Sequence, residues 1–337
     1  MGIGVIGTDV GQFAENFSMG EEEMIAQNIN ALAQAGGMFR VVDQRFKGQY
    51  VYNNVRRRYA AGVSRRDPTS TSGATDIPVQ ATSDTRVKLK RTWGPFANTK
   101  DAWYEMISDA GGSVEALAQE KGREAAEDQV QDWLNTGLRA CRAALVTDAT
   151  NEHDITGAST TTLNSGALID GAAKFGDAFM SRIVGWIGHS TAFFNLMKDQ
   201  TVTLKTTGIS DVSLAEGTVR TLGKPFIVTD SPSLVVTTGT GTAQVTKYHT
   251  LALVAGAIHL DNSRPLDVAI DQITGLNNLV VRLQGEYDFN VGLKGFQWDT
   301  TNGGANPTDA NVGLGTNWDQ TGTSNKDLPG LVITSLG

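Results

Sequence analysis

The chain has 337 residues, enough to bury a substantial core in one large or two moderate domains, and its formal charge of -8 argues against a generic nucleic-acid binder. Its single cysteine, Cys141, excludes an intrachain disulfide and a thiolate zinc cluster. The first twenty residues hold no Lys or Arg and no continuous apolar run, and nothing elsewhere approaches the roughly 18 apolar residues of a membrane span; this excludes a typical secretory signal and a transmembrane segment and leaves synthesis in a cytosol as the expectation.

In chain order, residues 1 to 39 contain no basic residue. Within them Met24, Ile25, Ile29 and Leu32 stand at helical spacing, which predicts a short helix from Glu21 to Leu32. Glu21, Glu22 and Glu23 fall in its first turn, where the helix dipole favours anions, and Gly36 and Gly37 stop it.

The charge then reverses. Residues 40 to 100 carry thirteen Lys and Arg against four Asp, while the remaining segments carry fifteen against thirty-two acids. Two limbs of this stretch read as strands. Tyr50-Val51-Tyr52 precedes the cluster Arg56, Arg57 and Arg58, and Arg86 to Arg91 alternates, with Val87 and Leu89 on one face and Arg86, Lys88 and Lys90 on the other. The breaker-rich run Asp67 to Asp76 lies between them as a tip. The result is a long two-stranded hairpin with little core of its own, marginal alone in water and in need of a partner surface.

A basic extension on an acidic body suits a protein whose copies clasp one another, positive ribbon across negative surface. The expected intersubunit contacts are therefore Arg56, Arg57, Arg58, Arg65, Arg66, Lys88, Lys90 and Arg91 on the ribbon and Glu21, Glu22 and Glu23 on the arm.

From Ser113 to Val146 the apolar stripe Val114, Leu117, Val130, Trp133, Leu134, Leu138, Cys141 and Leu145 predicts one long helix of about 50 Å, with possible breaks at Gly122 and Gly137. Between about 151 and 262 the texture alternates: a helix over Gly166–Phe175, a strand over Arg182–Ile187, a helix from Ser190 to Lys198 capped by Ser190, and strands at Pro225–Val228 and Tyr248–Ile258. That alternation suggests an α/β domain.

The cleanest period in the chain follows. Leu279, Val281, Leu283, Gly285, Tyr287, Phe289, Val291 and Leu293 fall on one face of a long strand or a sharply turned pair. The phase flips at Gly295, because Phe296 and Trp298 continue on the other parity, and a β-bulge at Gly295 is the expected cause.

The order of acidic arm, basic hairpin, spine helix, α/β domain and long strands resembles the major capsid protein of tailed bacteriophages, with the Hong Kong 97-type fold. The local resemblance is carried by Gly185-Trp186-Ile187-Gly188-His189-Ser190, by Gly223 to Asp230, by Glu286 to Asp299, and by the endings Asn317-Trp318-Asp319 and Ser324 to Thr334. None of these is a chemical motif, so the specificity lies in their order and spacing.

The resemblance implies an α+β fold divided into an N-terminal arm over 1–35, an extended loop over 36–105, a first peripheral part with the spine helix over 106–162, an axial domain over 163–261 and a second peripheral part over 262–337. It implies a virion protein, non-enzymatic and without cofactors, whose copies meet as pentamers and hexamers in an icosahedral head around double-stranded DNA bound without sequence specificity. It further implies a portal protein as partner and leaves room for a decoration protein. No additional scaffolding domain fits before residue 36, so a separate scaffolding protein is expected.

Enzyme readings are weak. Gly2-Ile3-Gly4-Val5-Ile6-Gly7 satisfies the Gly-x-Gly-x-x-Gly string, but no strand precedes it and Asp9 to Gln12 opens no strong helix. His153, His189, His249 and His259 lack metal-ligand spacing, and neither a phosphate loop nor a Gly-x-Ser-x-Gly elbow is present. Two alternatives to the capsid expectation are a nucleic-acid-binding protein, because Tyr50, Tyr52 and Tyr59 interleave with the Arg56 to Arg58 cluster, and an encapsulin-like nanocompartment shell.

Overall fold

The computed structural model describes residues 13, 15–21, 23–24, 37–56, 68–69, 71, 81–109, 113–148, 150–206, 221–241, 244–322 and 324–337. In chain order the elements are α1 (residues 13–24, helical at every described position), β1 (Phe39–Asp43), β2 (Tyr50–Arg56), β3 (Ala81–Thr99), α2 (Lys100–Asp109) and α3 (Val114–Thr147). Next come β4 (Glu152–Asp154), α4 (Ser165–Phe175), α5 (Ala178–Arg182), β5 (Ile183–Gly188), α6 (Ser190–Thr206), β6 (Phe226–Val228), β7 (Val235–Thr238) and β8 (Val245–Val254). The chain ends with β9 (Ile258–Ile273), β10 (Val280–Leu293), β11 (Phe296–Trp298), α7 (Asp309–Val312), β12 (Trp318–Gln320) and β13 (Gly330–Leu336).

The spine helix α3 forms as its pattern predicts. Ser113 caps it by accepting the Ala116 N–H at 3.0 Å, and the helix runs unbroken for 34 residues through Gly122 and Gly137. Packing, rather than a kink, accounts for both glycines. A Cβ on Gly122 would stand 2.2 Å from the Phe17 carbonyl oxygen, and one on Gly137 would stand 2.8 Å from the Ile258 side chain. α1 and β9 therefore approach the spine more closely than any side chain would permit. The mirror contact is Gly20, whose Cβ would lie 2.5 Å from the Gln119 carbonyl oxygen.

Among the described residues, one core cluster fills the space between α3 and the inner face of a seven-stranded sheet and continues beneath a second sheet. Strand β10 is the centre of the seven-stranded sheet, antiparallel to β9 on one edge and to β3 on the other; β1 adds in parallel outside β9, and β2 outside β3. The alternation along β10 does what its period requires. Val281, Leu283, Tyr287, Phe289, Val291 and Leu293 are all buried, and the Phe289 ring meets Trp133 of α3 at 6.1 Å. Each fully buried aliphatic or phenyl side chain in such a layer contributes about 1.5–3 kcal/mol.

Among the described residues the second sheet has six strands in the order β4-β13-β8-β5-β6, with β7 on β8, and it is covered by α4, α5 and α6. The expected second peripheral part, 262–337, thus divides between two sheets: β9 to β12 stay in the first, and β13 crosses to pair with β8 and β4 in the second. The strand expected over Tyr248–Ile258 is likewise split, since β8 ends at Val254 and Ile258 opens β9.

Three local expectations are corrected. The bulge at Gly295 is a tight turn: Leu293 pairs with Phe296, so β10 and β11 form a hairpin around Lys294 and Gly295. Gly295 has φ +77°, and Phe296 and Trp298 are buried because the reversal, not an inserted residue, changes the phase. The cap of α6 is His189, whose Nδ1 accepts the Thr191 N–H at 3.2 Å, and Ser190 is already helical. Finally, α1 begins at least two turns before Glu21, so Glu21 and Glu23 are not in a first turn; Glu22 and residues 25 to 32 of the expected helix lie outside the described residues.

The turn yields a test. A Cβ on Gly295 would lie 2.7 Å from the Asp327 carbonyl oxygen, in a backbone conformation that L-residues avoid. Gly295→Val should destabilise the subunit by about 1–3 kcal/mol in denaturant unfolding, whereas an unchanged midpoint would contradict the turn.

Candidate assembly surface

The hairpin is real at its root. β2 and β3 pair from Tyr50↔Val87 to Arg56↔Ala81, while β3 pairs with β10 only from Val87 to Thr99. From Arg86 back to Ala81 the ladder is therefore two strands wide, its root still covered by the body, with Thr85 buried and Arg86 against Gly292 of β10. On the other side of the Tyr50–Val87 pair, where β2 begins, the free edge of β3 is taken up by a loop, the Lys90 N–H donating to Asn306 Oδ1 at 2.9 Å.

The cations that the sequence nominates divide into three groups. Arg57, Arg58, Arg65 and Arg66 lie outside the described residues, as does Glu22, and Arg56 is placed only as the last residue of β2. Lys90 is exposed. Lys88 and Arg91 are held within the subunit: Lys88 is buried, with Nζ donating to the Phe46 carbonyl at 2.7 Å, and Arg91 enters an ion network. Alternation along β3 gives the correct faces but does not reveal that segment 44–49 covers the basic one. The arm's acids also turn inward. Glu21 is buried, and Glu23 pairs with Arg123 of α3 at 3.0 Å.

The Arg91 network ties the hairpin's return strand to the spine. Its Nε donates to Asp132 Oδ2 at 3.1 Å and its Nη2 to Asp309 of α7, while the Tyr287 hydroxyl donates to Asp132 Oδ2 at 2.8 Å. Arg139 holds the other Asp309 oxygen at 2.8 Å. Burial alone would lower the Arg91 guanidinium, but Asp132 and Asp309 outweigh it and hold it above its ordinary value. Burial works on Asp309 in the opposite sense and is likewise outweighed, since Arg91 and Arg139 hold its carboxyl below the usual range. Burial, then the Asp132 charge, pushes the Tyr287 phenol up, so it remains a donor. One turn earlier on α3, Asp128 accepts Trp93 Nε1–H at 3.0 Å, and Phe17 of α1 lies 5.6 Å from the Trp93 ring.

Beyond the charges, the surface shows large exposed apolar side chains that charge reasoning does not reach. Phe96, Leu276 and Leu279 crowd one end of the long sheet, and Met180 and Phe194 stand on helices of the second sheet. Burial, and then nearby cations, lower the imidazoles of His249 and His259 to about 3 and about 4. The Cys141 thiol is fully buried and pushed up. Among the described residues no group of three or more His, Cys, Asp or Glu could hold a metal ion, and no helix is long and apolar enough to cross a membrane.

A family model described as Gp13-like, major capsid protein 13-like, matches residues 9–332. No curated protein matches the sequence. Among solved structures, the capsid of Myoviridae phage XM1 aligns over 91% of this chain and 92% of its own, with TM-score 0.52 and 12% identity, which shows a shared fold. The capsid asymmetric unit of cyanophage Pam1 aligns over 88% of each chain with TM-score 0.49 and 11% identity.

The Arg91 network can be tested by pH. Because Asp309 is held low in the folded state, its contribution is present at neutral pH and is lost as pH falls through that depressed value. Asp309→Asn should cost about 1 kcal/mol at neutral pH, discounted for a half-exposed carboxylate, and thermal unfolding should show the gap from wild type closing on acidification. A gap that persists at low pH would contradict the pairing.

Proposed function

The chain belongs to the Gp13-like major capsid protein family, and on that premise we propose that its copies assemble as pentamers and hexamers into the icosahedral head that encloses the double-stranded DNA of a tailed bacteriophage. The single observation that carries this reading is the family match over nearly the whole chain, from residue 9 to residue 332. The fold, of the Hong Kong 97 type, agrees with it: a subunit built from a spine helix, a long sheet, a two-stranded hairpin and a second helix-covered sheet offers many separate surfaces to its neighbours.

In this reading the distal part of β2 and β3 lies over an adjacent subunit, and the second sheet with α4 to α6 forms the axial domain. The basic hairpin supplies charge complementary to the acidic body, which steers encounter and fixes register more than it adds affinity. DNA is enclosed without sequence-specific contacts, because the net charge of -8 repels it from most of the surface. A separate scaffolding protein guides assembly, a portal protein occupies one vertex, and a decoration protein has room on the outer surface. The role is structural, and synthesis takes place in the host cytoplasm before incorporation into the virion.

Two experiments test the reading. Sedimentation of the purified protein, alone and with its scaffold, should give closed particles far larger than a dimer; monomers or dimers under every condition would overturn it. Replacing Arg56, Arg57 and Arg58 with Glu reverses three charges per subunit and should lower particle yield while leaving the circular dichroism of the subunit unchanged. Each contact is worth only about 0–1 kcal/mol, but it repeats around the shell. Normal yield from the triple variant would show that the cluster is merely solvated.

A further inference from the structure

The outer face of the long sheet, opposite the α3 core, buries charge. Lys88 of β3, Asn290 of β10 and Asp261 of β9 stand side by side in register, and Asn290 and Asp261 are almost wholly buried. Segment 44–49 crosses over them, with the Phe46 carbonyl accepting from both Lys88 Nζ and Ser263 Oγ. Arg86 of β3 lies flat across β10: a Cβ on Gly292 would stand 2.5 Å from its Cγ. From there its Nη1 donates to both oxygens of Asp261, at 2.8 and 3.1 Å, so a single side chain staples the hairpin's return strand across β10 to β9.

That staple leaves a second carboxylate without its share. Asp84 stands two residues before Arg86 on the same face of β3, opposite Asn53 of β2, and its Oδ1 is shielded from solvent with no hydrogen-bond partner among the described residues. Arg86 Nε, His259 Nδ1 and both amide atoms of Asn290 are shielded and unpartnered on the same face. Native proteins rarely concentrate so many such atoms in one place. Among the described residues, the charged groups on the elements around this face include Arg86 and Lys88 on β3, Asp261 and His259 on β9, Arg40 on β1, Arg45 and Lys47 on segment 44–49, and Lys294 at the end of β10. One guanidinium thus faces two carboxylates, Asp261 buried and Asp84 half-buried, and its two hydrogen bonds through Nη1 commit it to Asp261.

We propose that Asp84 is a titratable catch at the root of the hairpin: protonated, it lets β2 and β3 close firmly on the sheet, and ionised, it loosens their pairing there. Burial, opposed by Arg86 and reinforced by the charge of Asp261, raises the Asp84 carboxyl from 3.8 to about 6. The closed root therefore binds the proton more tightly than an opened root does. Closure is favoured at low pH and weakens as pH rises through about 6. His259 acts in the opposite sense, because burial and then Arg86, Arg40 and Lys294 hold its imidazole neutral down to about 4, so acid works against closure there. The catch does not depend on shell assembly and operates in the single subunit.

The test is amide hydrogen exchange of the full-length unassembled chain, wild type against Asp84→Asn, read at β2 and at residues 84 to 88 of β3. Taking the ratio of the two proteins cancels the titration of His259, which they share. The opening of wild type relative to Asp84→Asn should rise about tenfold between about pH 5 and about pH 7.5. In Asp261→Asn, which releases Arg86 to Asp84 and removes the neighbouring charge, the rise should disappear. A ratio that stays flat, or a rise that survives Asp261→Asn unchanged, overturns the proposal. A carbon-13 titration of the Asp84 carboxyl in the wild-type chain gives an independent reading; a midpoint near 6 is expected, and one at or below 4 overturns it.

Discussion

The subunit is organised by the double pairing of β10. Its two edges are taken by β9 and by β3, its inner face packs on the spine helix, and the Asn290 end of its outer face is covered by Arg86 and segment 44–49. A strand with an occupied edge on each side cannot slip register without moving every side chain to the wrong face. Since β3 is also the return limb of the hairpin, the same pairing that builds the core fixes where the hairpin leaves the body. Two charged staples reinforce it on opposite faces: Arg91 reaches inward to Asp132 and Asp309, and Arg86 reaches outward to Asp261. Each is partly buried, so removing one partner would leave a charge uncompensated in the structure.

This arrangement has a consequence for function. An extension that must reach a neighbouring subunit needs a rigid base and a reach that the body does not consume. The base is the three-strand register of β9, β10 and β3, and beyond Val87 the hairpin keeps only the pairing of β2 with β3. The spine adds a second fixed line, since α1 sits directly against it through Gly20 and Gly122, and Trp93 links arm, hairpin strand and spine in one aromatic and hydrogen-bonded contact.

Much of this was legible in the sequence where a single physical cause sets a single pattern. The one-sided burial of β10 produces a period of two, and the buried stripe of α3 with its Ser113 cap produces a helix whose limits are nearly those read from residues alone. The phase change at Gly295 was equally visible, but a bulge and a two-residue turn both shift the phase by one and both favour glycine at positive φ, so the pattern could not choose between them. Charge told less. Basic residues on β3 signal a polar face, but only the path of segment 44–49 decides that Lys88 is covered, and Arg86 with Asp261, 175 residues apart, leaves no local mark. β13 carries its residues into the second sheet for a similar reason: pairing with β8 is a long-range choice that no periodicity encodes.

The central claim is that this chain is a shell subunit whose hairpin, anchored on β10, lies over its neighbour. A cryo-electron microscopy reconstruction of particles assembled from the wild-type chain tests it most directly. The account requires a closed icosahedral shell in which β2 and the distal part of β3 contact an adjacent copy while the pairing of β3 with β10 from Val87 to Thr99 stays as it is in the single subunit. Particles in which the hairpin folds back on its own subunit, or in which β3 has left β10, would contradict it.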